Sequence, residues 1–257
     1  MVKGLYTAYT GMANEQKRLD IIANNLANAA TVGYKEENVT SQSFDNLLTI
    51  KVKDASEAYN NRAIGTMSLG VKLGEVYTDY GQGSLKQTSN TYDMAIDGSG
   101  FFTVSVTDKA GNESTQYTRS GSFTMTKDGQ IVDADGNHLL GEGGEISVPT
   151  DAAEILIDNN GGVYADGAYV DTIQITDFTD YDYITQVGDT MFKALDGATE
   201  TVSNASVKQG FTEQSNVNVV SEMVEMISVT RAYEANQKVI QSVDKTLDLA
   251  VNSVGRV

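Results

Sequence analysis

The sequence predicts an α+β protein in which long N- and C-terminal helices pack as a coiled-coil-like pair around a central, mostly antiparallel β domain. Three observations carry this reading. A seven-residue apolar repeat runs through both ends of the chain, Asp-Gly turn pairs punctuate the middle, and the charge of the two regions differs sharply.

At the C-terminus, Val219, Met226, Tyr233, Ile240, Leu247 and Val254 recur every seven residues, with Val229, Asn236, Val243 and Ala250 three residues after four of them. A heptad repeat with a second small or apolar position is the pattern of a helix packed lengthwise on another helix. Asn216 or Asn218 is placed to cap its start, because an Asn side chain accepts from a free backbone N–H there. Glu222 and Glu225 lie near the positive end of the helix dipole, and Lys245 and Arg256 toward the negative end. No proline interrupts the run, and Gly255 is the expected stop. A helix over this stretch would reach roughly 58 Å at about 1.5 Å per residue, so it needs a long partner.

The other terminus supplies one. Leu5, Met12, Leu19 and Leu26 are again seven apart, with Ala8, Ile22 and Ala29 three residues after three of them. Two ordinary amphipathic helices in a bundle would show the same periodicity as a coiled coil. Gly33 is the expected left-handed residue where this arm (residues 1–34) ends. A polar extension follows at 35–70, with a short helical turn expected around Phe44, Leu47 and Leu48. Residues 51–70 read as an extended or poorly ordered excursion with no chemistry assigned.

From 71 to 210 the pattern becomes one of short strands. Candidates include Met94–Ile96, Phe101–Val106, Gln116–Thr118, Ser122–Thr126, Ile131–Val132, Ile155–Ile157, Val163–Tyr164 and Thr172–Asp177. Between them sit Asp97-Gly98, Asp128-Gly129, Asp135-Gly136, Asp166-Gly167 and Asp196-Gly197, and Asp-Gly provides the positive φ angles of tight hairpin turns. Residues 211–257 form the C-terminal arm.

The chain has 257 residues, one proline (Pro149), no tryptophan and no cysteine, which removes disulfides and thiol chemistry. Its N-terminal residues lack the continuous apolar core of a secretory signal, and no apolar run approaches a membrane span. A soluble chain, exported if at all without a cleaved signal, is the expectation. Residues 1–35 hold four basic against two acidic side chains and residues 216–257 four against five, so the middle carries −18 beside a total of −17. Near-neutral arms can pack against copies of themselves, whereas the acidic middle stays solvated and argues against nucleic acid.

Catalytic chemistry finds no foothold. The single histidine, His138, follows a turn sequence and reads as a surface turn residue, leaving a Ser-His-Asp site nothing to build on. Asp133-Ala-Asp135-Gly136-Asn137 lacks the spacing and closing Glu of a calcium loop and reads as a hairpin. Gly98-Ser-Gly100-Phe-Phe has no following Lys-Ser/Thr, so it is no phosphate loop. With 35 acidic residues, paired carboxylates arise by chance. No enzyme, metal or cofactor is expected.

Several blocks carry a family resemblance. Leu5-Tyr-Thr-Ala8, Gly11-Met12, Arg18-Leu-Asp-Ile-Ile-Ala-Asn24-Asn25-Leu26-Ala-Asn28 and Gly33-Tyr-Lys35 resemble the N-terminal signature of the bacterial flagellar rod and hook axial proteins. Gly81-Gln-Gly-Ser-Leu85, Asp93 to Phe102, Tyr117 to Phe123 and Asp128-Gly129 resemble that family's central blocks. Ser215 to Val220, Glu222-Met-Val224 and Arg231-Ala-Tyr-Glu-Ala-Asn236 resemble its C-terminal signature. Within the family the likeness is strongest to the distal rod branch, then the proximal rod, then the hook. It departs in residues 36–70 and 251–257.

The resemblance implies paired terminal helices in an inner tube, an outer β domain, and helical polymerisation with copies of the same chain. It implies a structural rod subunit in the basal body, outside the cytoplasmic membrane, that transmits torque to the hook and lines the export channel. The implied partners are other rod and hook proteins, the flagellar type III export apparatus and the surrounding ring proteins. The expected assembly interface is Leu5, Met12, Leu19, Ile22, Asn24, Asn25 and Leu26 on the first arm, with Met226, Tyr233, Asn236, Ile240 and Leu247 on the second. The rival from another class is an exported cell-surface binding module whose β domain recognises a ligand.

Overall fold

The computed structural model describes residues 2–50, 63–107, 111, 113–152 and 154–254. It is α+β: helix α1 (Val2–Ala27) and helix α2 (Val219–Leu249, continued by one π-helical segment, Ala250–Val254) flank a series of short antiparallel strands. Asn218 caps α2, its side chain accepting from the N–H groups of Val220 and Ser221. Asn216, the other candidate cap, instead accepts from the Glu36 N–H. Gly255, the expected stop, lies outside the described residues. The α+β class and the antiparallel β region hold; a coiled-coil pair is not what the two helices show.

Compactness divides the chain into two units. One is made of residues 1–26, 37–79 and 218–257, the other of residues 27–36 and 80–217. In the first unit the strand Glu37–Ser43 pairs antiparallel with Val71–Thr78, and Leu47–Ile50 pairs with Ala63–Met67. Leu47 and Leu48 were expected in a helical turn. They are extended because Thr66 and Met67 offer them a ladder, which local propensity cannot reveal. Val71–Thr78, at the expected start of the β domain, belongs to this ribbon. Residues 51–62 of the expected excursion lie outside the described residues.

The second unit is the β unit. Its largest sheet has ten strands among the described residues, with Phe101–Thr107 at its centre, paired to Glu113–Thr118, His138–Gly141 and Ile175–Phe178. Side chains alternate across a strand, so adjacent Phe101 and Phe102 enter different cores. Phe102 joins Met94, Ile96, Phe123, Ile131 and Leu139. Phe101 joins Tyr117, Phe178, Ile184 and Phe192 in an aromatic cluster with Tyr80 and Tyr181. All five Asp-Gly glycines have positive φ, but only Asp166-Gly167 has both residues there (φ 49° and 80°). His138 is not in a turn: it opens a strand, is half-buried, and its Nδ1 is buried without a hydrogen-bond partner. Asp133 to Asn137 is the hairpin turn expected, the Asp133 N–H donating to the Asn137 carbonyl at 2.9 Å.

The deepest polar feature of the β unit lies where the chain enters and leaves it. Lys35, Arg119 and Glu213 are 1%, 4% and 1% exposed. Lys35 Nζ donates to Glu213 Oε1 at 2.6 Å, Arg119 Nη1 donates to Glu213 Oε2 at 3.2 Å, and the Gly83 N–H donates to Oε1 at 2.8 Å. Two further donors reach backbone carbonyls, Lys35 to Gly81 at 2.7 Å and Arg119 Nη2 to Gly98 at 2.8 Å, while Arg119 Nε is buried without a partner. Gly33 completes the closure. It is left-handed (φ 74°), its N–H donates to the Glu213 carbonyl, and a Cβ on it would sit 2.3 Å from the Ser120 nitrogen.

Removing one partner of a buried ion cluster leaves uncompensated charge, at a cost of about 3–5 kcal/mol. Glu213→Ala strands two cations and is expected to lower the urea-unfolding free energy by about that amount. Loss below about 1 kcal/mol would mean the cluster is solvated in the native state.

The aromatic cluster predicts alkaline sensitivity. Burial, and then the hydrogen bond to the Glu200 carboxylate at 2.5 Å, raises the Tyr117 pKa. Burial and the Asp177 carboxylate push Tyr181 up to about 12. A raised folded-state pKa gives stability that is complete below the unfolded value near 10 and declines as pH rises through the folded value. The tyrosines' contribution to the melting temperature should therefore be constant up to about pH 9 and fall above pH 10. The fall should be shallower in Tyr181→Phe.

Candidate assembly interface

The two arms meet in one unit and run antiparallel. A Cβ on Gly11 would lie 3.0 Å from Asn236 Nδ2, Arg18 Nη2 donates to Glu225 Oε1 at 2.7 Å, and Asn25 Nδ2 donates to Glu222 Oε2 at 3.4 Å. Residue numbers rise along α1 as they fall along α2, which fixes the direction.

These contacts are small and polar, and the buried apolar side chains of the two helices are only Ala8, Ile22 and Val229 among the described residues, so a coiled-coil seam is not shown. Asn25 is the most fully engaged. Its side chain is 1% exposed, accepts from the Glu37 N–H at 3.0 Å and donates to the Glu37 carbonyl at 2.8 Å as well as to Glu222. Arg18 also holds Glu15 at 3.3 Å, and Asn14 Nδ2 donates to Ser41 Oγ at 3.0 Å, tying α1 to the ribbon.

The expected interface residues sort into three groups. Ile22 and Asn25 are buried within the chain. Leu5, Met12, Leu19, Leu26, Met226, Tyr233, Asn236 and Ile240 are half-buried. Asn24 and Leu247 are exposed. The structure thus brings Asn236 onto α1 through Gly11, but leaves Leu247 uncovered. Sequence reasoning did not single out Gly11, Arg18, Glu222 and Glu225 for the helix contact. Arg18 and Glu225 had no spacing signal because their partnership spans the whole chain. Gly11 had one, a glycine inside a helical repeat, which marks close approach.

Sequence reasoning also missed the exposed apolar face at the start of α2. Val220, Met223, Val224 and Ile227 are 71%, 49%, 63% and 55% exposed. They fall at helical spacing beside the heptad stripe. Val220 and Val224, with Arg18 and Glu225, line an open groove of about 570 Å³. Leu249 and Val251 add exposed apolar surface at the far end. Contiguous exposed apolar surface rimmed by polar groups marks an interaction site. Among the described residues no helix is long and apolar enough to cross a membrane, and no group of three or more His, Asp or Glu could hold a metal ion.

Long helices with half-covered stripes, joined in sequence to an acidic β unit, have the build of a structural assembly protein. Comparisons with known proteins identify the kind. Residues 5–35 match the flagella basal body rod protein family, residues 95–165 the D1 domain of the flagellar hook protein FlgE/F/G, and residues 208–253 the C-terminal domain of the flagellar basal body rod FlgEFG proteins. The chain is 34% identical to the flagellar basal-body rod protein FlgG of Bacillus subtilis, over 98% of this chain and 99% of the relative. It is 33% identical to FlgG of Agrobacterium fabrum (95% and 96%) and 31% identical to the hook-basal body complex protein FlhO of Bacillus subtilis (100% of both). The chain belongs to the flagellar basal-body rod family, whose members are structural proteins of the flagellar basal body and not enzymes.

The helix contacts differ in worth. Arg18–Glu225 is part-exposed, and such a pair contributes at most about 1 kcal/mol. Losing Asn25 leaves buried backbone and carboxylate groups unpaired, at about 1–3 kcal/mol. Chemical denaturation followed by far-UV circular dichroism should therefore show Asn25→Ala costing more than Arg18→Ala. The reverse order would place the arms' stability in the ion pair.

Proposed function

We propose that this chain builds the flagellar rod as a helical homopolymer, with α1 and α2 forming the tube and the β unit exposed to solvent. The observation that carries the reading is α2 itself. Among its described residues only Glu222 and Val229 are buried, while Val220, Met223, Val224 and Ile227 face solvent. Neighbouring copies would cover that face and the stripe from Ile240 to Leu247, and so complete coiled-coil-like packing that one chain lacks. Burying such a side chain is worth about 1.5–3 kcal/mol, and in a polymer the gain recurs at every subunit.

The remaining roles follow from that arrangement. A tube of packed helices is stiff along its axis, so it carries torque from motor to hook. Its lumen passes export substrates. The subunit itself leaves through the flagellar type III apparatus and joins other rod and hook proteins within the surrounding rings. Leu5, Met12, Leu19, Asn24, Leu26, Met226, Tyr233, Ile240 and Leu247 are the contacts this assembly would use. Ile22, Asn25 and Asn236 support them from within the subunit.

The test separates assembly from folding. Val224→Asp changes an exposed residue, so its melting curve should match the parent while filament entry and motility are lost. Ile240→Asp, half-buried, should lose motility and also melt earlier, because a buried unpaired charge is costly. Lys238→Asp, on the exposed face, is the control and should remain motile. Full motility with Val224→Asp would remove the exposed α2 face from the assembly.

A further inference from the structure

A second exposed apolar feature lies in the β unit, on the three-stranded sheet of Ile155–Ile157, Gly162–Ala165 and Ala168–Thr172. One face of this sheet is conventional: Ile155, Ile157, Val163 and Ala165 are buried in the core. The other face should be polar by alternation. Instead Leu156 stands opposite Tyr164, and Tyr164 opposite Tyr169, so one apolar row crosses all three strands. Leu156 and Tyr169 are each 57% exposed. Much of their apolar surface stays in water.

The two rings are held in place. Tyr169 Oη shares a 2.8 Å hydrogen bond with Thr172 Oγ1, and Tyr164 lies against Gly162, where a Cβ would approach its ring to 3.2 Å. The rings meet edge to face, 5.8 Å apart at 68°, so they form no flat platform for stacking. Beside them is a hollow of about 410 Å³ lined by Glu154, Leu156, Asp158, Tyr164 and Gly167. Its walls carry two carboxylates, an aromatic face and an aliphatic surface, and no cation.

We propose that this hollow receives Lys or Arg side chains from a basic, extended segment of a partner protein. A cation there gains Glu154 and Asp158 as counter-charges and the Tyr164 ring as a cation–π partner, while its aliphatic stem lies on Leu156. The pre-set rings reduce the ordering cost of binding. Charge selects the class of occupant. The β unit of a second copy is itself acidic, and nucleic acid or an anionic lipid surface brings more negative charge, so none of these supplies the cation. This site is independent of the helical interface.

The probe is fluorescein-labelled octaarginine, titrated against the full-length protein by fluorescence anisotropy at near-physiological ionic strength. Glu154→Gln with Asp158→Asn is expected to weaken binding about tenfold, and Tyr164→Ala about three- to fivefold. The control, Glu113→Gln with Asp128→Asn, makes the same change in charge elsewhere on the β unit and should stay within about twofold of the parent. Leu156→Ser, at an exposed position, repeats the test should Tyr164→Ala alter the melting curve. Equal weakening by the control pair would show diffuse attraction to an acidic surface and overturn the site. So would absence of binding, or capture of anionic vesicles in its place.

Discussion

The β unit depends on one carboxylate. Glu213 sits between Lys35 and Arg119, takes a backbone N–H from Gly83, and gives its own carbonyl to Gly33. These groups come from four separate stretches of chain, so the cluster closes only when the first and last segments of the unit are both in place. Burying charge is unfavourable unless every group is paired. The arrangement meets most of that condition, because the backbone carbonyls of Gly81 and Gly98 accept from Lys35 and Arg119, and only Arg119 Nε is left buried without a partner. A hydrophobic plug of equal volume would stabilise as well but would tolerate looser closure. Tyr34 beside it is fully buried, so the strap from 27 to 36 is core rather than linker.

The helical unit is built on a different principle. Directional hydrogen bonds hold it: Asn25 to Glu37 and Glu222, Asn14 to Ser41, Arg18 to Glu225. An apolar seam would slide with little penalty, since a heptad repeat is nearly satisfied by a shift of one heptad. Asn25 cannot slide, because it hydrogen-bonds both the carbonyl and the N–H of one residue, Glu37. Polar groups at single positions set register in helix pairs. In this chain they set the register of α1 against both α2 and the ribbon strand Glu37–Ser43.

This division explains what the sequence disclosed and what it withheld. Heptads reveal helices because periodicity is local, and α1 and α2 lie where the repeats run. Asp-Gly pairs reveal turns because positive φ is a property of those residues, as Gly129 and Gly136 bear out. Strand candidates such as Met94–Ile96 and Ile155–Ile157 hold because alternation is local too. Pairing across distance is different. Lys35, Arg119 and Glu213 are spread over nearly 180 residues, and each taken alone reads as a surface charge. Leu47 and Leu48 took their conformation from Thr66 and Met67, and His138 took its place from Ser105 and Val132. The family blocks pointed to Asn24 and Asn25 together; only the fold separates the buried Asn25 from the exposed Asn24.

Charge and exposure then account for the shape of the assembly problem. The β unit is acidic and closes on its own ion cluster and cores, so copies of it gain little by packing together. The arms are near neutral and α2 leaves most of its apolar surface in water. Most helical stability in proteins comes from a packed apolar face rather than from propensity. A 31-residue helix that buries Glu222 and Val229 alone has little such face within its own subunit. Each added copy would cover apolar side chains on the copy before it, so the stability of the arms and the growth of the tube would rise together. On that account the energy that orders α2 and the energy that joins subunits are the same apolar burial, counted once and supplied only by the polymer.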